Sequence, residues 1–290
     1  MEKFVALTAS GIAFGAVLAI VALGFLVLYK ATGVINFAHG DLVTLGAYVA
    51  VWAIKDQGLP TVLGYLAALV VMFGVGVLIE RIAHAPLRRR PHMVVVIATL
   101  AAAITIRGAV SVWQGSEPKS LPSPVGDNVV HVLGAVIAYQ RLLIIGVSAL
   151  AVLGLVWLFQ RTAFGRQVRA LAADPDTARL NGVRARSIAM IAFGMSATMA
   201  ALAGLLIAPL SAVDLNFGFN LMVLAFAAAV IGGFGSLGGV VAGSLVIGLT
   251  QQLVGGYIFT SYASTLPFIL LFLMIVVRPT GLVDLERTRL

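Results

Sequence analysis

The sequence predicts an all-α polytopic membrane protein, and three observations carry that reading. Of its 290 residues, 61% are hydrophobic and 10% are charged, whereas a soluble domain carries about 25% charged residues. The apolar residues gather into long runs, and a helix needs roughly 20 residues to cross about 30 Å of hydrocarbon. The basic residues behind the net charge of +8 sit at the ends of those runs. They are Arg81 with Arg88, Arg89 and Arg90, then the arginines of 161–186, then Arg278, Arg287 and Arg289. Positive charge so placed marks the cytoplasmic side of a bilayer, with anionic lipid a secondary partner, and argues against nucleic acid.

Taken in order, the candidate spans are 4–29, 34–54, 61–79, 93–113, 142–159 and 188–210, then a broken segment, 221–256, and a last span, 257–277. The first run is too long for a signal-peptide core and lacks a small-residue cleavage site, so it reads as a retained helix. KDQGLP after Ile54 is a turn, with Pro60 suited to a helix start. The charge rule puts 80–92 inside, 114–140 outside, 161–187 inside and 211–220 outside. It makes the carboxyl terminus cytoplasmic. Parity then requires 221–256 to enter and return, turning near GGFGSLGG at 232–239. If 34–54 crosses fully, the amino terminus is outside and about nine helices span. If it is re-entrant, the terminus is inside and about eight do. The domain reading is one transmembrane domain over 1–290, containing a cytoplasmic loop at 161–187. No stretch between spans is long enough for an attached nucleotide-binding domain.

Within the run GVINFAHGDLVTLGAYVA, residues 33–50, stand Asn36, His39, Gly40 and Asp41. A carboxylate near a bilayer centre costs roughly 2.5–3.5 kcal/mol on insertion scales, so such groups line a path or pair with a neighbour. A second interruption holds Gly232, Gly233, Gly235 and Gly238. Three of these spell G-x-G-x-x-G, but its flanks are AFAAAVI and VVAGSLVIG and no acid follows until Asp284. A dinucleotide site needs a preceding strand and an acid about 20 residues on, so the cofactor reading is rejected. Close helix packing and a helix break beside a translocation path stay open.

Other chemistry is sparse. There are no cysteines, no phosphate-binding G-x-x-x-x-G-K-[ST], and the histidines His39, His84, His92 and His131 lack metal-ligand spacing. No metal and no cofactor are expected, and the chain does not read as an enzyme. His84 and His92 read as solvated at a membrane boundary, and Asp214 as solvated in an outer loop. Arg107 lies past the midpoint of its span. The preferred reading is that it snorkels outward, and the alternative is a pair with Asp41.

The loop RTAFGRQVRALAADPDTARLNGVRARS, 161–187, carries its own helix signals. Asp174 can cap, Pro175 suits the first helical position, Asp176 favours the positive end of the dipole and Gly182 fits just past the end. A helix over 175–181 is too short to stand alone and is expected to dock on something.

These three stretches, in this order and spacing, resemble the permease subunit of bacterial branched-chain amino-acid ABC importers, the first of the two permease types in the high-affinity system. The resemblance extends along nearly the whole chain and implies a multi-pass protein of the bacterial inner membrane. It implies a second homologous permease, two cytoplasmic ATPases that hydrolyse ATP, and a periplasmic solute-binding protein. By the same resemblance 175–181, framed by Pro175 and Gly182, becomes a coupling helix. Arg166, Arg169, Asp174, Asp176 and Arg179 are then its polar contacts. Asn36, His39, Gly40 and Asp41, with Gly232, Gly233, Gly235 and Gly238, are read as the translocation path, alternating its exposure. Urea and short-chain amide importers share much of this pattern. An ion-coupled secondary transporter working through Asp41 or His39 is the reading from another class.

Overall fold

The computed structural model describes residues 1–88, 90–126, 128–132, 134–258, 265–278 and 281–282. Arg89, Arg287 and Arg289, expected in the basic clusters, lie outside them. Six helices among the described residues are long and apolar enough to cross a membrane: Glu2–Thr32, Thr61–Leu87, His92–Gln114, Tyr139–Arg161, Ala185–Leu210 and Leu237–Tyr257. They lie where the hydropathy of the sequence places spans. Two further apolar helices, Phe217–Gly232 and Leu266–Val277, are shorter. The expected span 257–277 enters the described residues mainly through the second of these, because 259–264 lie outside them.

In chain order the helices are α1 (Glu2–Thr32), α2 (His39–Val51), α3 (Thr61–Ile79), α4 (His92–Gln114), α5 (Tyr139–Arg161), α6 (Ala163–Ala173), α7 (Pro175–Leu180), α8 (Ala185–Ile207), α9 (Phe217–Gly232), α10 (Leu237–Tyr257) and α11 (Leu266–Val277). A hairpin of β1 (Val129–Val132) and β2 (Ala135–Ala138) pairs antiparallel, Val129 opposite Ala138. It lies within the loop 114–140, for which the sequence suggested no strand; its β-branched runs VVHV and AVIA suit a strand but are too short to stand out. Both α2 and α3 widen at their ends into single π turns, Trp52–Asp56 and Glu80–His84. α2 has 13 residues and its π turn adds five more without a gap, so the helical stretch 39–56 is near the lower limit for crossing the hydrocarbon.

The chain divides into two compact units. One comprises Met1–Leu23, Pro122–Val152 and Leu221–Leu290. In it α1 crosses α10 at glycines: a Cβ on Gly248 would strike the backbone of Gly11 and Gly15. Small residues let transmembrane backbones approach, which replaces the hydrophobic driving force that lipid abolishes.

The other unit comprises Gly24–Leu121 and Leu153–Asn220. Here α8 packs against α2 and α3, presenting buried Ala192, Ala197, Ala200, Ala201 and Gly204. Gly46 of α2 meets Ala201, and Gly76 of α3 meets the Phe193 carbonyl. Large apolar side chains are buried here too, Leu42, Tyr48, Met72 and Leu205 among them, while others face outward, such as Val70 on α3 and Ile97 and Ile104 on α4. Small residues at the helix contacts and apolar side chains on the outside suit a unit whose outer surface is lipid.

Candidate functional site

In the second unit α1 ends at Thr32, and Gly33 takes a φ of +71°, which turns the chain out of the helix. The next residues run without helical bonding until α2 starts at His39. The Asn36 side-chain oxygen accepts from the Ala38 N–H at 3.0 Å, and its carbonyl accepts from the His39 N–H at 3.2 Å. Asn36 thus shapes the entry to α2, while Phe37 N–H donates to Thr99 Oγ1 of α4 at 3.3 Å.

All four residues singled out at this break are buried. His39 stacks on Phe25 with ring centroids 4.7 Å apart, and its Nδ1 lies 3.1 Å from Ser196 Oγ on α8. Gly40 presents its carbonyl to Gly218, where any Cβ would overlap it, and the Gly218 N–H donates to Thr44 Oγ1 at 2.9 Å. Arg107 Nε donates to Asp41 Oδ1 at 2.9 Å, and Arg107 also reaches Asn216 at 3.2 Å and covers the Phe219 ring. Asp41 is 2% exposed and Arg107 35%. The preferred expectation for Arg107, outward snorkelling, is therefore corrected. Leaving Asp41 without a cation in this apolar setting costs more than bending one guanidinium inward. Asp41 Oδ2 stays buried without a hydrogen-bond partner.

The glycine interruption lies in the first unit, between α9 and α10. Gly233 takes a φ of +95° and ends α9, and Ser236 caps α10 by accepting from the Gly239 N–H at 3.2 Å. Gly232 packs against the Gly239 carbonyl, and Gly243 against the Ala228 carbonyl and the Gly232 backbone. Close packing and a break in the helix, open alternatives in the sequence, coexist here at neighbouring residues. Gly235 and Gly238 fall within and just after the break.

The basic loop folds into two helices where one was expected. α6 buries Gly165, Val168 and Leu171 and leaves Arg166 exposed, and Arg169 bonds the Phe159 carbonyl. Thr162 caps it. Asp174 then caps α7, its Oδ1 accepting from the N–H groups of Asp176 and Thr177 at 3.0 and 3.2 Å and its Oδ2 from the Thr177 hydroxyl. Those bonds, the Thr177 hydroxyl first, hold the Asp174 carboxyl below the ordinary carboxylate range. The helix closes with Val183 N–H to the Ala178 carbonyl and Gly182 N–H to that of Arg179, Gly182 at φ +83°. Asp176 pairs with Arg179 at 3.1 Å on the exposed face, beside Leu180, which is 88% exposed. A cleft of about 500 Å³ lies between this loop and the end of α1, lined by Lys30, Thr32, Gly33, Leu171, Pro175 and Arg179 among others.

The model of the family described as branched-chain amino acid transport system / permease component matches residues 7–275. The chain belongs to that family. The permease is 32% identical over 286 residues to the high-affinity branched-chain amino acid transport system permease protein BraD of Pseudomonas aeruginosa, spanning 94% of this chain and 93% of the relative. Its identity to the permease protein LivH of Escherichia coli is also 32%, with the same coverage. A probable branched-chain amino acid transport permease protein LivH from Methanocaldococcus jannaschii is 26% identical over 295 residues, 96% of this chain and 92% of that one.

Around the break that starts α2, the permease gathers residues that the sequence alone did not single out. Thr44, Thr99, Ser196 and Asn216 each contribute a hydrogen bond there. Single serines and threonines in apolar helices carry no pattern, so only the fold reveals their convergence. The expectation that His84 is solvated is also corrected. It is buried against Phe193, one turn from Glu80, which is fully buried and bonded by Arg88. The π turn at Glu80–His84 rotates these side chains inward, a shift no helical periodicity announces.

Proposed function

We propose that this chain is the membrane-spanning subunit of an ATP-binding-cassette importer that moves branched-chain amino acids into the cytoplasm by alternating access. It works with a second homologous permease, two ATPase chains and a periplasmic binding protein, and its carboxyl terminus is cytoplasmic. α7 is the coupling helix, contacting an ATPase through Arg166, Arg169, Asp176, Arg179 and the exposed Leu180. Asp174, Pro175 and Gly182 hold its shape. Asn36, His39, Gly40 and Asp41 belong to the path, as do Gly232, Gly233, Gly235 and Gly238.

The observation that carries this reading is α8. It runs unbroken from Ala185, three residues past Gly182, to Ile207. Ser196 lies 11 residues along it, about 16 Å from its start, against the His39 ring. A displacement of α7 on ATP binding is thereby transmitted along one rigid helix to the break that opens α2, with α1 linked to the same loop across the cleft. The substrate meets a path formed by backbone and few charges, so selectivity resides largely in the binding protein.

The test is reconstitution with candidate partner chains in proteoliposomes. Leucine uptake should require ATP and the binding protein. Deleting 174–182 should abolish co-purification of the ATPases while the chain still inserts in the membrane. Uptake driven by a proton gradient with no ATPase present would overturn the reading, and co-purification that survives the deletion would remove the coupling role.

A further inference from the structure

A cavity of about 200 Å³ opens beside the π turn of α3, lined by Thr32, His84, Arg88, Arg90, His92 and Arg179 with a few apolar residues. Several features give it one electrostatic sign. The amino termini of two 23-residue helices, α4 and α8, contribute to its wall, and neither is capped by a side chain. Uncapped first-turn N–H groups and the helix dipole both favour an anion. Arg88, Arg90 and Arg179 add guanidinium groups to the same wall. Burial, then Arg186 and Arg179 nearby, pull the Arg88 guanidinium below its ordinary basicity although Glu80 pairs with it. The acids at hand are committed: Glu80 to Arg88, behind the wall, and Asp176 to the exposed face of Arg179.

His84, 6% exposed, lines the same cavity, with its Nδ1 directed at Glu80 Oε1 3.7 Å away and no hydrogen bond formed. The volume is several times the roughly 30 Å³ of one water, enough for a tetrahedral oxyanion with some hydration. Close in sequence to the cavity residues His84, His92 and Val95, the apolar side chains of Ile82, Met93 and Ile97 are largely exposed.

We propose that this cavity binds the phosphate of an anionic phospholipid headgroup, whose acyl chains lie along Ile82, Met93 and Ile97. Arg179 belongs both to the cavity and to α7, so a bound headgroup braces the loop against the transmembrane helices. The lipid would act as a structural ligand of the loop. This site stands apart from which solute the permease carries.

The full-length chain, purified in a neutral detergent, is titrated with dioleoyl phosphatidylglycerol, dioleoyl phosphatidylcholine, and inorganic phosphate against chloride at matched ionic strength. Native mass spectrometry reads retained lipid and thermal unfolding reads stabilisation. Phosphatidylglycerol should bind and raise Tm, and phosphatidylcholine should not. Arg90→Gln, at an exposed rim position, should weaken phosphatidylglycerol binding about tenfold, the worth of one charge-assisted hydrogen bond. Arg161→Gln, basic and exposed outside the cavity, should leave it unchanged. Equal losses in both variants, or none in Arg90→Gln, would show general attraction to charge and overturn the site. Stabilisation by inorganic phosphate without phosphatidylglycerol would overturn the lipid as its source.

Discussion

At the start of α2 the chain is interrupted among side chains that carry charge and hydrogen bonds. Between α9 and α10 it is interrupted by residues that carry almost no side chain. The first break is held by Asn36, His39 and Asp41, each reaching the backbone or a neighbouring helix. The second is held by Gly232, Gly233 and Gly243, whose backbones lie where any Cβ would collide or by a φ that side chains resist. Both stop a helix inside apolar sequence. They differ in how they can respond: a polar break can exchange partners, whereas a glycine break is a fixed shape whose parts either fit or do not. The first is suited to switching between two arrangements, the second to serving as a close-packed joint.

The largest expected effect tests the joint. Gly243→Val places methyl groups on the Ala228 carbonyl and the Gly232 backbone, and should destabilise by about 3 kcal/mol or more. Folded yield and Tm in detergent read the result, and a wild-type Tm would show that the joint can open. Next comes the polar break. Arg107→Ala strands buried Asp41 and should cost about 3 kcal/mol, at the low end of the range because Arg107 is partly exposed. Adding Asp41→Asn should return part of that loss. Double-mutant-cycle coupling near zero would reduce the ion pair to a bystander. Ser196→Ala removes one hydrogen bond to His39 and should cost about 1 kcal/mol. It should slow ATP-driven uptake more than it lowers Tm, whereas Ser236→Ala, worth a similar amount as a cap on α10, should lower Tm alone. Matching effects on uptake would erase the distinction between the two breaks.

The smallest effect lies outside both. The Asp174 carboxyl is depressed in the fold, so its capping contribution is present above the unfolded value near 3.9 and is lost as pH falls through the folded one. Amide protection in α7, taken relative to intrinsic exchange, should therefore stay flat from pH 7 down to about 5 and fall only in stronger acid. Asp174→Ala should lower that protection at neutral pH, converge with the parent chain in strong acid, and leave the Tm of the whole chain unchanged, because α7 is a short surface helix.

Hydropathy made the long helices legible, since crossing a bilayer demands an uninterrupted apolar run and nothing in water competes for it. Local chemistry likewise exposed α7, whose cap, proline and closing glycine act within a few residues of one another. The hairpin of β1 and β2 escaped because four-residue strands leave too short a pattern, and α6 because its apolar face is interleaved with arginines. The site was half legible. Asn36, His39 and Asp41 stand out against an apolar background, but their partners Thr99, Ser196 and Asn216 do not.

By itself, then, the sequence determined the membrane class, the places where helices stop and the residues unable to face lipid. Those properties depend on composition over one turn or one span. Only the tertiary structure decided that Arg107 turns inward to Asp41, that His84 and Glu80 are buried behind Arg88, and that Gly40 lies against Gly218. Arg107 with Asp41 and Gly40 with Gly218 join groups far apart in the chain, and the low dielectric of a packed apolar interior makes an unpartnered charge costly enough to override the local preference for solvent.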